Sequence, residues 1–136
     1  MLPLPLDHIG IAVSDLDQEL LRYERDFGGC AFGREKVEDQ HVEVVFVKLC
    51  SNTLVELLCP LQAGGPIQKF LATHGPGLHH LCFSTLDIHA ELERLQQAGY
   101  QVIDQVPRRG AHNSLIAFLH PKSCGGVLLE LRQRAA

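Results

Sequence analysis

Hydrophobic and polar positions alternate along LDHIGIAV, 6–13, with Ile9, Ile11 and Val13 on one side and His8, Gly10 and Ala12 on the other. Successive side chains of a strand point to opposite faces. The pattern therefore predicts a strand with one bulky packing face and one face cleared around an imidazole. The period then changes: in SDLDQELLRYERDFGG, Leu16, Leu20, Tyr23 and Phe27 fall on one side of a helix. Asp15 supplies its cap, and Gly28 with Gly29 its stop.

The same succession of patterns returns once. LHHLCFS, 78–84, repeats the opening alternation, with His80 standing 72 positions after His8. That offset carries Asp15 onto Asp87, and the helical stripe onto Ile88, Leu92 and Leu95 with Gly99 as the stop. It also carries the strand-like VEVVFVKL onto SLIAFLHP, Phe46 onto Phe118. TLVELL and VLLELR align at Glu56 and Glu130 with an offset of 74, the longer KSCGG turn supplying the two extra residues. Each half reads strand, helix, then about three strands, so the predicted class is α+β, built from two βαβββ modules at about 4–60 and 77–133. Neither half buries its own sheet face, and the two are expected to pair into one domain over 1–136. Between them, at about 61–76, Pro66 opens and Gly75 closes a short predicted helix with Ile67, Phe70 and Leu71 as its apolar side.

Composition narrows the partners. The chain is 46% hydrophobic, yet no apolar run approaches the roughly 18–20 residues of a membrane span. MLPLPLDH lacks the basic start and long apolar stretch of a signal peptide, which predicts a cytoplasmic protein. Five cysteines, Cys30, Cys50, Cys59, Cys82 and Cys124, are an odd number without a CxxC pair, as expected of reduced thiols. A net charge of −4 argues against nucleic acid or an anionic membrane as the main partner. A small molecule is the better expectation.

The repeat also duplicates chemistry: each half contributes one histidine on its first strand and one glutamate on its last. Glu56 stands among Leu54, Val55, Leu57 and Leu58, and Glu130 among Val127, Leu128, Leu129 and Leu131. A carboxylate buried in such a run is costly unless ligated, paired or protonated. Two imidazoles and two carboxylates related by pseudo-symmetry call for one divalent cation, Co, Mn, Ni or Zn. His79 is expected to point the other way along the pleat, and His41, His74 and His89 to lie on loop or helix surfaces. His112, in the basic loop RRGAHNS beside Arg108 and Arg109, reads either as a phosphate contact or as part of a solvated turn. HPKSCGG is a turn by composition, in which Lys122 and the glycine amides offer themselves to an anion.

LDHIGIAVSDLD, GLHHLCFSTLDI, RRGAHNSLIAFLHPKSCGGVLLEL and the VELLCPL…PIQKFL junction together resemble the methylmalonyl-CoA epimerase branch of the vicinal oxygen chelate superfamily, from about Leu6 to Leu131. The resemblance implies paired βαβββ modules whose mixed sheets curl around a metal-containing cleft. It makes His8, His80 and Glu130 metal ligands, and Glu56 a fourth at a position that is Gln in some members. Some epimerases carry a further carboxylate where this chain has Val44, and neighbouring Glu43 is expected to face away. The implied substrate is an acyl-CoA thioester, epimerised at C2 by proton abstraction through a metal-chelated enediolate. Glu130 and Glu56, approaching from opposed directions by pseudo-symmetry, are the expected acid/base pair. His112 and Lys122 are the substrate-binding candidates, and a homodimer is expected because dimers are common among such relatives. Two other readings share the scaffold: a glyoxalase I-type lyase/isomerase acting on a thiol adduct, and a non-catalytic small-molecule-binding protein.

Overall fold

Three helices and eight strands make up the computed structural model, which describes residues 3–135. These residues fall into two compact units, 8–79 and 80–135, with residues 3–7 grouped with the second. The first unit takes in most of β1 (Leu6–Ala12), then α1 (Leu16–Phe27), β2 (Cys30–Val37), β3 (Val42–Lys48), β4 (Leu54–Pro60) and α2 (Pro66–His74). Its strands lie in the order β2-β3-β4-β1, antiparallel except that β1 runs parallel to β4. Asp15 caps α1 by accepting a hydrogen bond from the Gln18 amide at 3.0 Å, and Gly28, at φ 68°, ends it.

The pleat sorts this sheet into two faces. Val45, Val47, Val55 and Leu57 point toward α1 and pack with Val13 and Leu16, joined by Leu20 and Tyr23. Full burial of each large aliphatic side chain contributes about 1.5–3 kcal/mol. Phe27, expected to complete the helical stripe, is instead exposed. It sits in the last turn, beyond that cluster, with only its ring tilted against Tyr23 at 6.1 Å. His8, Gly10, Ala12, Phe46, Glu56 and Leu58 share the opposite face, since Gly10 pairs with Glu56, Ala12 with Leu58, and Phe46 with Glu56.

One irregularity interrupts the β2–β3 ladder. In β2, Phe32 pairs with Phe46 but Glu35 pairs with Val44, so β2 spends three residues where β3 spends two. Gly33 takes up the extra residue at φ 65°, a left-handed conformation that glycine adopts without a Cβ clash.

The second unit holds most of β5 (Gly77–Ser84), then α3 (Ile88–Gln97), β6 (Arg108–Arg109), β7 (Leu115–Leu119) and β8 (Leu129–Gln133), with the order β5-β8-β7-β6 and β5 parallel to β8. Ile88, Leu92 and Leu95 of α3 pack on Ala117, Leu119 and Leu131, with Leu4 and Phe83 against them. Within each unit the strand pairing is mixed, and each module reads βαβββ, as the sequence patterns predict. The second strand of this module, β6, has only two residues against the eight of its counterpart β2. The Asp104 carboxylate takes over part of its work by accepting the Phe118 amide at 2.9 Å and pairing with Arg108 at 2.9 Å. Residues 3–7 are tied in by Ser84, whose amide donates to the Pro5 carbonyl at 2.9 Å, and by Asp7. The Asp7 carboxylate accepts from Arg132 at 3.0 Å and from Arg134 at 2.8 Å. Among the described residues no helix is long and apolar enough to cross a membrane.

Candidate metal centre

Each module sets one imidazole against one carboxylate. In the first, His8 Nε2 lies 3.3 Å from Glu56 Oε1. In the second, His80 Nε2 lies 3.2 Å from Glu130 Oε1. The four residues are between 2% and 7% exposed. The repeat reaches the rings that hold the histidines in place: Phe46 meets His8 edge to face at 5.3 Å, and Phe118, its counterpart, meets His80 in the same way at 5.8 Å.

The strand registers explain how the pairs form. Two residues beyond His8 comes Gly10, opposite Glu56; two residues beyond His80 comes Cys82, opposite Glu130. A small side chain on the first strand leaves each carboxylate room to turn toward its imidazole. That accounts for the small residues that follow each histidine on its face, Gly10 and Ala12 in β1 and Cys82 and Ser84 in β5.

A buried imidazole and carboxylate can satisfy each other as an ion pair, at a desolvation cost that weakens it. They can also share a cation. Each pair offers one nitrogen and one oxygen donor, the mixed set suited to first-row divalent ions. With metal–ligand distances of about 2.0–2.2 Å, two donors on one ion stand roughly 3.0–3.4 Å apart. The observed 3.3 and 3.2 Å lie within that span, so the residues fit the group.

The remaining candidates sit elsewhere. His79 turns its ring against Phe70 at 4.9 Å, on the side of β5 away from His80. His74 stacks on Phe70, and His41 is exposed with its ring 3.4 Å from the Gln62 amide. Val44 is buried on the His8 face. Glu43 faces away as expected, held at 3.1 Å by Arg34, which also reaches Asp17 of α1 at 2.6 Å. Lys122 is exposed on its turn, where its own amide donates to His120 Nδ1 and the Gly126 amide to the Pro121 carbonyl. Those two backbone donors are used within the turn, leaving the Lys122 ammonium as its group for an anion.

His112 occupies a strained position. It and Asn113 are consecutive non-glycine residues in the left-handed region, at φ 55° and 58°, a conformation costing about 1–2 kcal/mol each. The Ala111 carbonyl fixes the loop by accepting from the Ser114 hydroxyl at 2.8 Å and from buried Arg132 at 3.3 Å. Strain held in this way collects at functional sites. Two features escaped the sequence reading: the Asp7–Arg132–Arg134 cluster, whose members are far apart in the chain, and the bulge in β2 that sets Glu35 opposite Val44, on the His8 side of the sheet. For Glu35 a signal existed, because Gly33 interrupts a strand pattern and an isolated glycine there marks a bulge.

The whole chain has close counterparts. A family profile described as the Glyoxalase/Bleomycin resistance protein/Dioxygenase superfamily matches residues 7–118. The ethylmalonyl-CoA/methylmalonyl-CoA epimerase of Cereibacter sphaeroides is 40% identical over 94% of this chain and 96% of its own length. The crystal structure of methylmalonyl-CoA epimerase from Mycobacterium tuberculosis superposes with a TM-score of 0.94 at 36% identity, covering 100% of this chain and 94% of that one. A methylmalonyl-CoA epimerase solved in complex with methylmalonyl-CoA and NH4+ gives a TM-score of 0.92 at 38% identity, over 98% of this chain and 96% of that one.

Proposed function

We propose that this chain, which belongs to the Glyoxalase/Bleomycin resistance protein/Dioxygenase superfamily, is a metal-dependent epimerase that interconverts the C2 epimers of methylmalonyl-CoA. The observation that carries the reading is the likeness to an epimerase solved with that substrate, at 38% identity over 98% of the chain rather than over a motif. The duplicated His–Glu pairs support it. We take His8, Glu56, His80 and Glu130 as one ligand set for one divalent ion.

C2 of the substrate lies between a thioester carbonyl and a carboxylate, so its proton is acidic for carbon but still needs help to leave. When bound, the ion supplies positive charge to the oxygens that flank C2. The protein's own groups do the rest. Phe46 and Phe118 hold the two imidazoles in orientation, and burial of the pairs keeps water away, which strengthens every electrostatic contact there. Epimerisation needs acid/base groups on both sides of C2. The second module contributes Glu130 to one side. The first contributes a carboxylate to the other, where Glu56 is the pseudo-symmetric counterpart. His112, on its strained loop, and the exposed Lys122 ammonium reach the anionic parts of the thioester.

Proton NMR of 2-methylmalonyl-CoA in heavy water tests the reading. The metal-loaded protein is expected to exchange the C2 proton for deuterium and to equilibrate the two epimers, with both processes abolished by a chelator. A C2 proton left untouched, together with turnover of a glutathione hemithioacetal, would move the protein to the glyoxalase class.

A further inference from the structure

We infer that Glu35 is the acid/base residue of the first module, and that Glu56 serves that module as a ligand. The inference rests on the epimerase reading. Glu56 and Glu130 both stand in the proposed ligand set, and a carboxylate that lends an oxygen to a divalent cation is a weaker base than one outside the set, because the nearby positive charge favours its ionised form. The second module has Glu130 for both tasks, whereas the first can divide them. Each module carries one carboxylate against its histidine. The first carries another on the same face: among the strand residues beside His8, namely Gly10, Ala12, Phe32, Glu35, Val44, Phe46, Glu56 and Leu58, the acids are Glu35 and Glu56. The matching face of the second module, read along β5, β7 and β8, has Glu130 alone as an acid. The asymmetry gives one extra carboxylate to one side of the substrate.

Three observations fix the face of Glu35. Its register partner is Val44, which lies two residues from Phe46 and so on the same side of β3. Phe32, on the other side of the bulge, stacks on Phe46 at 5.8 Å, and Phe46 touches His8. Arg34, the intervening residue, is drawn to the helix side by Glu43 and Asp17, so Glu35 next to it is turned the opposite way. Without the extra residue at Gly33, strand alternation would put Glu35 and Phe32 on opposite faces. Bulges re-aim side chains in this manner beside active sites. Glu35 is half-buried and lies two strands from Glu56, roughly 10 Å across the sheet at the usual strand spacing. That is too far to join the same ligand set.

The chemistry balances without a further reagent. One carboxylate takes the C2 proton as the C–H pair moves into the C1–C2 bond and the carbonyl π pair moves onto oxygen. The other, protonated, delivers its proton to the opposite face of C2 as the electrons return. The two carboxylates end with their protonation states exchanged.

The test compares wild type with Glu35→Gln, each loaded with Co(II), in three measurements: metal content, equilibration of the epimers, and deuterium entry at C2 of each epimer. Expected for Glu35→Gln is unchanged metal content, epimerisation slower by at least about 10²-fold, the scale of an acid/base group, and continued exchange into the one epimer that Glu130 serves. Wild-type epimerisation in Glu35→Gln would overturn the inference while leaving the epimerase reading intact. Loss of metal or of the thermal transition in that variant would assign Glu35 a structural role, and would also overturn it. If wild-type protein leaves C2 untouched, the epimerase reading fails and the inference falls with it.

Discussion

A glutamate among leucines and valines is conspicuous because nothing in such a run can neutralise it. Seeing it twice, with a histidine 48 positions upstream in the first module and 50 in the second, made His8, Glu56, His80 and Glu130 legible from the sequence. The structure buries all four and pairs them within each module. Removing one imidazole should therefore act on the ion before it acts on the fold: His80→Ala, reconstituted with Co(II) and desalted, is expected to hold much less than the roughly one ion per chain expected of wild type, as metal analysis will show. Glu56→Gln should keep most of its metal, because an amide oxygen still ligates a hard cation. The cysteines separate by surroundings in the same way. Cys30 and Cys50 are exposed, Cys82 is buried, and burial pushes the Cys59 thiol up. Since the thiolate is the reactive form, iodoacetamide is expected to modify Cys30 and Cys50 first and Cys82 last, which peptide mapping over a time course would reveal.

Helices and long strands were readable because their periods are set by geometry and their ends by a few residue types. Asp15 and Asp87 cap α1 and α3 in the same way, each accepting an amide three residues on at 3.0 and 3.1 Å. Asp87→Ala should cost about 0.5–2 kcal/mol in urea unfolding. Where the backbone departs from its period, reading the sequence failed. The shortness of β6 was hidden because a side chain, Asp104, stands in for ladder bonds. Glu35 was hidden because face assignment counts residues by twos and the bulge adds one. Gly33 should carry both consequences. Gly33→Ala places a Cβ at φ 65°, at a cost of about 1–2 kcal/mol, and any relaxation of the bulge turns Glu35 off its face. Lower epimerase activity with metal content preserved is the expected result.

At the scale of the molecule, pattern matching recovered the duplicated modules but not the attachment of residues 3–7 to the second unit. That attachment depends on a charge buried against residues 125 and 127 positions away, and no local period encodes such a distance. Asp7→Ala would take from Arg132, itself only 5% exposed, its buried counter-charge while leaving it the Ala111 carbonyl, and removing one partner of a buried pair typically costs about 3–5 kcal/mol. A fall of that size in urea unfolding free energy, against a change near zero when Arg25→Ala breaks the exposed Arg25–Asp26 pair of α1, would confirm the asymmetry. The tie also sets an order of events during translation. Residues 3–7 leave the ribosome long before Arg132 exists, and at about 5–20 residues per second the Asp7 carboxylate waits roughly 6–25 s for the arginine that neutralises it. Through that interval the first unit can be complete while Leu4 and Asp7 still have no core to join. A nascent chain stalled short of β8 should accordingly be nicked by protease ahead of His8, and release of the full chain should close that site.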